Sequence, residues 1–182
     1  MSEIITSTLQ VNGEPMSVAY PPHHTLLEVL REECGLPGTK HGCELGECGT
    51  CSVLVDGIPV LSCLMLAQDA VGSAIETVEG LETSEGLHPL QVAFADLGAA
   101  QCGYCTPGIL MVSKALLDEK AIRTTNEVKE ALAGNLCRCT GYIKILQAVE
   151  LAGRRMSGDH AAEPLSSVHF GIQNDEETTC GQ

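Results

Sequence analysis

An α+β protein in two consecutive parts is predicted: strands gathered around one helix and a cysteine loop, then four short helices. Three observations carry that prediction. Two turn pairs, Asn12-Gly13 and Asp56-Gly57, lie between short runs rich in β-formers, and each pair tolerates the positive φ angles of a tight hairpin. After Glu79-Gly80 the apolar spacing changes to the period of helices. Eight of the ten cysteines fall into two groups, within residues 43–63 and 102–139.

In chain order, residues 4–11 and 16–20 read as two strands around Asn12-Gly13. Thr25-Leu26-Leu27-Glu28 has the form of a capping box, and Leu26, Leu27, Val29 and Leu30 follow as its apolar face, so a helix is expected from about Leu26 to Glu33. Cys34-Gly35 should end it. The next stretch places Cys43, Cys48 and Cys51 in C-x4-C-x2-C spacing, with Cys63 after eleven more residues. That is the thiolate pattern of a plant-type 2Fe–2S cluster. Gly42, Gly46 and Gly49 fall between the cysteines, where the backbone must bend around an anionic object and turn its N–H groups inward. Ser52–Val55 and Ile58–Leu61 form a second hairpin around Asp56-Gly57 that returns Cys63 towards the loop, and a further strand is expected at Ala74–Val78. Strands flanking one helix, with a cysteine loop between helix and strand, resemble the β-grasp fold of plant-type ferredoxins over residues 1–78.

The second part, residues 79–156, reads as a small four-helix bundle. His88-Pro89 opens a helix to about Leu97, with Pro89 in the first turn, where its missing N–H costs nothing. Thr106-Pro107 opens another to about Glu119, with Thr106 expected as the cap and Ile109, Leu110, Val112, Leu116 and Leu117 as the buried stripe. Thr124 to Leu132 gives a third, with Glu127 completing a second capping box, and Tyr142 to about Arg155 a fourth.

Composition limits the partners. Of the 182 residues, 24 are acidic and 10 basic, a formal charge of −14, which repels phosphate backbones and argues against nucleic acid. No run approaches the roughly 18 apolar residues of a membrane span, and the N-terminus lacks an export signal. A cytoplasmic protein is expected, with its cysteines ligating metal rather than pairing; export alongside a partner bearing its own signal stays open. Residues 157–182 are polar, with Pro164 and an acidic run at Asp175-Glu176-Glu177. By composition alone such a tail would be disordered; it is expected to become ordered by docking on a partner subunit.

Cys102 and Cys105 form a C-x2-C pair, and Cys137 and Cys139 a C-x-C pair separated from Cys105 by thirty-one residues. A helix of roughly 20 Å running out from Pro107, and a second helix running back, bring both pairs to one end of the bundle. In an extended segment Cys137 and Cys139 would face the same way while Arg138 turns aside. The N-terminus of the helix after Cys105 also favours an anionic group. On spacing alone this set could instead bind structural zinc.

Taken together, Gly42-Cys43-Glu44-Leu45-Gly46-Glu47-Cys48-Gly49-Thr50-Cys51, Gln101-Cys102-Gly103-Tyr104-Cys105-Thr106-Pro107-Gly108 and Asn135-Leu136-Cys137-Arg138-Cys139-Thr140-Gly141-Tyr142 resemble the iron–sulfur subunit of the molybdenum hydroxylases, the xanthine dehydrogenase and aldehyde oxidoreductase family. The resemblance covers residues 4–156. It implies two 2Fe–2S clusters, one on Cys43, Cys48, Cys51 and Cys63 and one on Cys102, Cys105, Cys137 and Cys139. It implies that Gln101 and Cys139 touch a molybdopterin held by a large subunit, and that electrons leave through the first cluster to an FAD on a medium subunit or another acceptor, in a dimer of heterotrimers. No catalytic acid or base is implied on this chain.

Two other functions fit parts of the pattern. A freestanding two-cluster ferredoxin would need the same eight cysteines. The iron–sulfur subunit of a quinone-linked dehydrogenase would add a C-x2-C-x2-C-x3-C-P run, which is missing. Cys34 and Cys180 read as thiols that ligate nothing. His23, His24 and His41 read as loop histidines, since a Rieske centre would replace two cysteines and none is lacking. Lys40, Glu44 and Glu47 read as solvated, and Tyr104 as a shield for the second centre or a packing residue.

Overall fold

A computed structural model describes residues 4–84 and 86–159. Strands β1 (Ile5–Val11) and β2 (Glu14–Tyr20) pair antiparallel, with Asn12 at φ 53° and Gly13 at φ 84° making the turn. Helix α1 (Leu26–Glu28) carries the expected capping box and continues as a wider π turn over Val29–Glu33, closed by Cys34 N–H donating to the Val29 carbonyl. Strands β3 (Ser52–Val55) and β4 (Ile58–Leu61) form the second hairpin, with Asp56 at φ 51°. Strand β5 (Ala74–Glu76) ends two residues earlier than expected. The Asn12 side chain takes over the ladder there: its Oδ1 accepts from Thr77 N–H at 2.8 Å, its Nδ2 donates to Thr77 Oγ1 at 3.0 Å, and a 3-10 turn follows at Val78–Gly80.

The five strands form one mixed sheet in the order β2-β1-β5-β3-β4, with β1 and β5 parallel. Alternation decides which face each residue serves. Val53 and Val55 join Leu9, Val11, Ile75, Leu26 of α1 and Val29 and Leu30 of the π turn after it in one hydrophobic cluster. Leu54, pointing the other way, joins the cluster formed by the helices. All four β3 side chains are therefore buried, as befits a strand covered on both faces.

The helices are α2 (Pro89–Leu97), α3 (Thr106–Glu119), α4 (Thr125–Ala131) and α5 (Ile143–Met156). Leu90, Ile109, Val128, Ile145 and Val149 meet in their shared core. One cap differs from expectation. Cys105, not Thr106, precedes the first turn of α3, and no side chain caps it; Thr106 and Pro107 lie within that turn, leaving its forward N–H groups to other partners. At α2 the His88 ring accepts from Leu90 N–H at 3.2 Å while Gln91 accepts from His88 N–H at 2.9 Å, a capping box built on histidine. No helix of the described residues is long and apolar enough to cross a membrane. Most of the tail 157–182, with Cys180, lies outside the described residues.

Candidate metal centres

The loop between α1 and β3 carries Cys43, Cys48 and Cys51, and the turn after β4 carries Cys63. Leu45 and Glu47 N–H groups each point at Cys43 Sγ, at 3.4 Å. With the Cys48 N–H they hold the Cys43 thiol well below its ordinary value, at about 6. The backbone thus offers a positive nest to an anionic sulfur. Glu44 at φ 55° and Gly46 at φ 80° supply the turns that aim those N–H groups. Cys63 is brought in by Ser62, whose Oγ and N–H both donate to the Cys51 carbonyl, at 2.7 and 3.3 Å. Burial, then the adjoining Cys51 thiol, pushes Cys63 up to about 11.

The second group gathers at the N-terminal end of α3. Cys102 and Cys139 place their sulfurs 3.6 Å apart, and the Cys102 thiol raises the Cys139 pKa. Cys105 and Cys137 form the other close pair: burial, then Cys137, pushes Cys105 up to about 12. For Cys137 burial is again the largest influence and acts upward. It is outweighed by hydrogen bonds, chiefly from the Thr140 hydroxyl 3.0 Å from Sγ, so the thiol sits below its ordinary value. The four cysteines line a cavity of about 150 Å³ together with Thr50, Tyr104, Leu136 and Arg138. The segment bends at Arg138–Thr140 instead of running extended, so Arg138 forms part of the cavity wall where alternation had turned it aside.

The thiols thus come as four pairs: Cys43 with Cys48, Cys51 with Cys63, Cys102 with Cys139, and Cys105 with Cys137. Two pairs per group suit two irons that each take two thiolates. Among the described residues no three His, Cys, Asp or Glu side chains close on one point as a single tetrahedral ion requires.

The chain matches the description "2Fe-2S iron-sulfur cluster binding domain" over residues 9–76 and "[2Fe-2S] binding domain" over residues 77–150. It is 49% identical over 151 residues to the nicotinate dehydrogenase small FeS subunit of Eubacterium barkeri, covering 83% of this chain and 96% of that one. It is 48% identical over 151 residues to the xanthine dehydrogenase iron-sulfur-binding subunit of Escherichia coli O157:H7, covering 81% and 94%. The crystal structure of quinoline 2-oxidoreductase from Pseudomonas putida 86 contains a chain that superposes with a TM-score of 0.83 at 42% identity, over 87% of this chain and 99% of that one. The chain belongs to the iron–sulfur subunit family of the molybdenum hydroxylases. It is the electron-transfer subunit of a multi-subunit oxidoreductase.

Within this iron–sulfur subunit the two cysteine groups are tied to each other, a feature sequence reasoning missed. Leu136 N–H donates to the Cys48 carbonyl at 2.9 Å. The buried Asn135 Nδ2 donates to the Gly49 carbonyl at 2.9 Å, and the Tyr104 hydroxyl donates to the His41 carbonyl. Tyr142 locks the Cys137 loop, its hydroxyl accepting from Cys137 N–H at 2.8 Å and donating to the Asn135 carbonyl at 2.9 Å. The only sequence signal was an amide and an aromatic flanking the cysteines. Gln101, Cys102 and Cys139 are exposed, next to exposed Tyr104 and Leu136. Cys34 packs into the sheet's core, where burial raises its pKa. Glu44 and Glu47 are exposed, although Glu44 pairs with His41 Nδ1 at 2.6 Å. Lys40 Nζ donates to the Pro37 carbonyl at 2.6 Å.

Proposed function

We propose that Cys43, Cys48, Cys51 and Cys63 hold one 2Fe–2S cluster and that Cys102, Cys105, Cys137 and Cys139 hold another. The carrying observation is the arrangement of eight thiols as two groups of two close pairs. The groups fall on a plant-type ferredoxin β-grasp over residues 1–78 and a helical bundle over 79–156, joined through Leu54. The boundary between the two matched cluster-binding families, at residues 76 and 77, supports that division.

When bound, such clusters accept and release single electrons. The chain's own residues do the rest. Leu45 and Glu47 N–H groups favour negative charge on Cys43, and the Thr140 hydroxyl does the same at Cys137. Leu136 N–H, bonded to the Cys48 carbonyl, fixes the separation of the two centres. Exposed Gln101 and Cys139 face a molybdopterin on a large subunit, with Tyr104 and Leu136 as the apolar rim of that contact. The first centre faces an FAD-bearing medium subunit across exposed Leu45 and Leu64. The assembly is a cytoplasmic dimer of such heterotrimers.

The test is the complex purified without oxygen. Four irons per iron–sulfur subunit and two 2Fe–2S EPR signals are expected, with the large and medium subunits co-purifying. Cys102→Ser should abolish one signal and leave the other intact. Loss of both signals, or of neither, would refute the separation into these quartets.

A further inference from the structure

Thr50 lies between the two cysteine groups. It is 6% exposed. Its Oγ1 lies 3.3 Å from Cys48 Sγ in the first group, and the residue is also among those lining the cavity of Cys102, Cys105, Cys137 and Cys139. The hydroxyl has a second acceptor, the Lys40 carbonyl oxygen, also at 3.3 Å. Its surroundings hold it in place. A Cβ on Gly42 would come within 2.5 Å of both Cys48 Sγ and Thr50 Oγ1, and a Cβ on Gly108 would lie 3.2 Å from the Thr50 backbone.

A hydroxyl has one proton to give. A metal-bound Cys48 thiolate has no S–H of its own, so the Thr50 proton must go to either Cys48 Sγ or the Lys40 carbonyl. Extra negative charge on the ligand sulfurs strengthens the bond to sulfur, because hydrogen bonds to ionised acceptors are the stronger ones. In a buried site of low dielectric that preference is not diluted by water.

We propose that Thr50 is a positioning residue that sets the electron affinity of the first centre relative to the second, through one O–H···S hydrogen bond on Cys48. The inference rests on the ligand assignment proposed above. With a cluster in each centre, one electron would pass from the second centre to the first. No covalent bond forms or breaks, the proton stays on Oγ1, and only its acceptor changes, from the Lys40 carbonyl to Cys48 Sγ.

The experiment is an EPR-monitored redox titration of the whole complex carrying Thr50→Val, which keeps the shape and removes the hydroxyl, and Thr50→Ser, which restores it. In Thr50→Val the reduction equilibrium of the first centre should fall about tenfold, roughly 59 mV for a one-electron couple, while the second centre stays unmoved. Thr50→Ser should return the first centre to its starting potential. Should Thr50→Val fail to assemble, the smaller Thr50→Ala must produce the same one-sided fall. An unshifted first centre, equal shifts in both, or no recovery with serine would overturn the proposal. An error in the ligand assignment shows itself differently, as Cys102→Ser abolishing both EPR signals or neither.

Discussion

Gly108 is a glycine that helix propensity opposes. It sits in the first turns of α3, where alanine would ordinarily stabilise by up to about 1 kcal/mol. Yet a Cβ there would meet the Gly49 carbonyl oxygen at 2.3 Å and the Thr50 Cα at 3.2 Å, both of them backbone and neither free to rotate away. Gly108→Ala should therefore lower stability by about 1–3 kcal/mol, the usual cost of overpacking. Gly134→Ala, where nothing lies within 4 Å, should change it by less than about 0.5 kcal/mol. Denaturant unfolding of the two variants side by side checks this. A Gly108→Ala protein as stable as the parent would mean that α3 does not press on the cysteine loop. The same close approach explains Gly49, whose own Cβ would strike the Gly134 carbonyl at 2.4 Å. Gly49 also bends the cysteine loop, at φ 69°. Its contact across the molecule was invisible, because the partner lies 85 positions away.

At the scale of elements, the local rules were the readable ones. Asn12-Gly13 and Asp56-Gly57 adopt the positive φ angles that made them turn signals, and both Thr-x-x-Glu boxes close as expected. Where a competing side chain entered, local reading failed. Asn12 ended β5 early through Thr77, and a histidine served as the cap of α2, a role for which His carries little statistical signal. The α4 box gives a pH prediction. The Thr124 N–H, then its hydroxyl, holds the Glu127 carboxyl down at about 2, against an ordinary value of 4.5. A depressed folded-state value contributes stability that is complete above 4.5 and is lost as pH falls towards 2. Glu127→Ala should thus unfold at a lower temperature than the parent near pH 7, and the gap should narrow as pH drops below 4.5. Melting curves at pH 7 and pH 4 test it; a gap that is constant or widens in acid would show that the carboxylate does not hold the box.

For the molecule as a whole, the two hydrophobic clusters meet at one strand. β3 gives Val53 and Val55 to one cluster and Leu54 to the other, so neither core can open without exposing the strand they share. The polar half of the seam lies beside it. Asn135 is 4% exposed and reaches the Gly49 carbonyl and Ser52 Oγ, while its neighbour Leu136 holds the Cys48 carbonyl. This seam was unreadable from sequence because its partners are 83–88 positions apart and no periodicity links them, whereas Cys43-x4-Cys48-x2-Cys51 and the pairs Cys102/Cys105 and Cys137/Cys139 stood out because their spacings are short. Replacing the amide by Asn135→Leu keeps the volume and removes both side-chain bonds. Ser52 Oγ still donates to the Gly49 carbonyl, at 2.8 Å, so that oxygen is not orphaned and the loss should be the net worth of the bonds, about 1–2 kcal/mol. The informative readout is cooperativity rather than size. If the seam couples the halves, the parent unfolds in one transition and Asn135→Leu separates into two, with the absorbance of one iron–sulfur centre bleaching before the other. A single, merely displaced transition would place the coupling in Leu54 and the apolar contact alone.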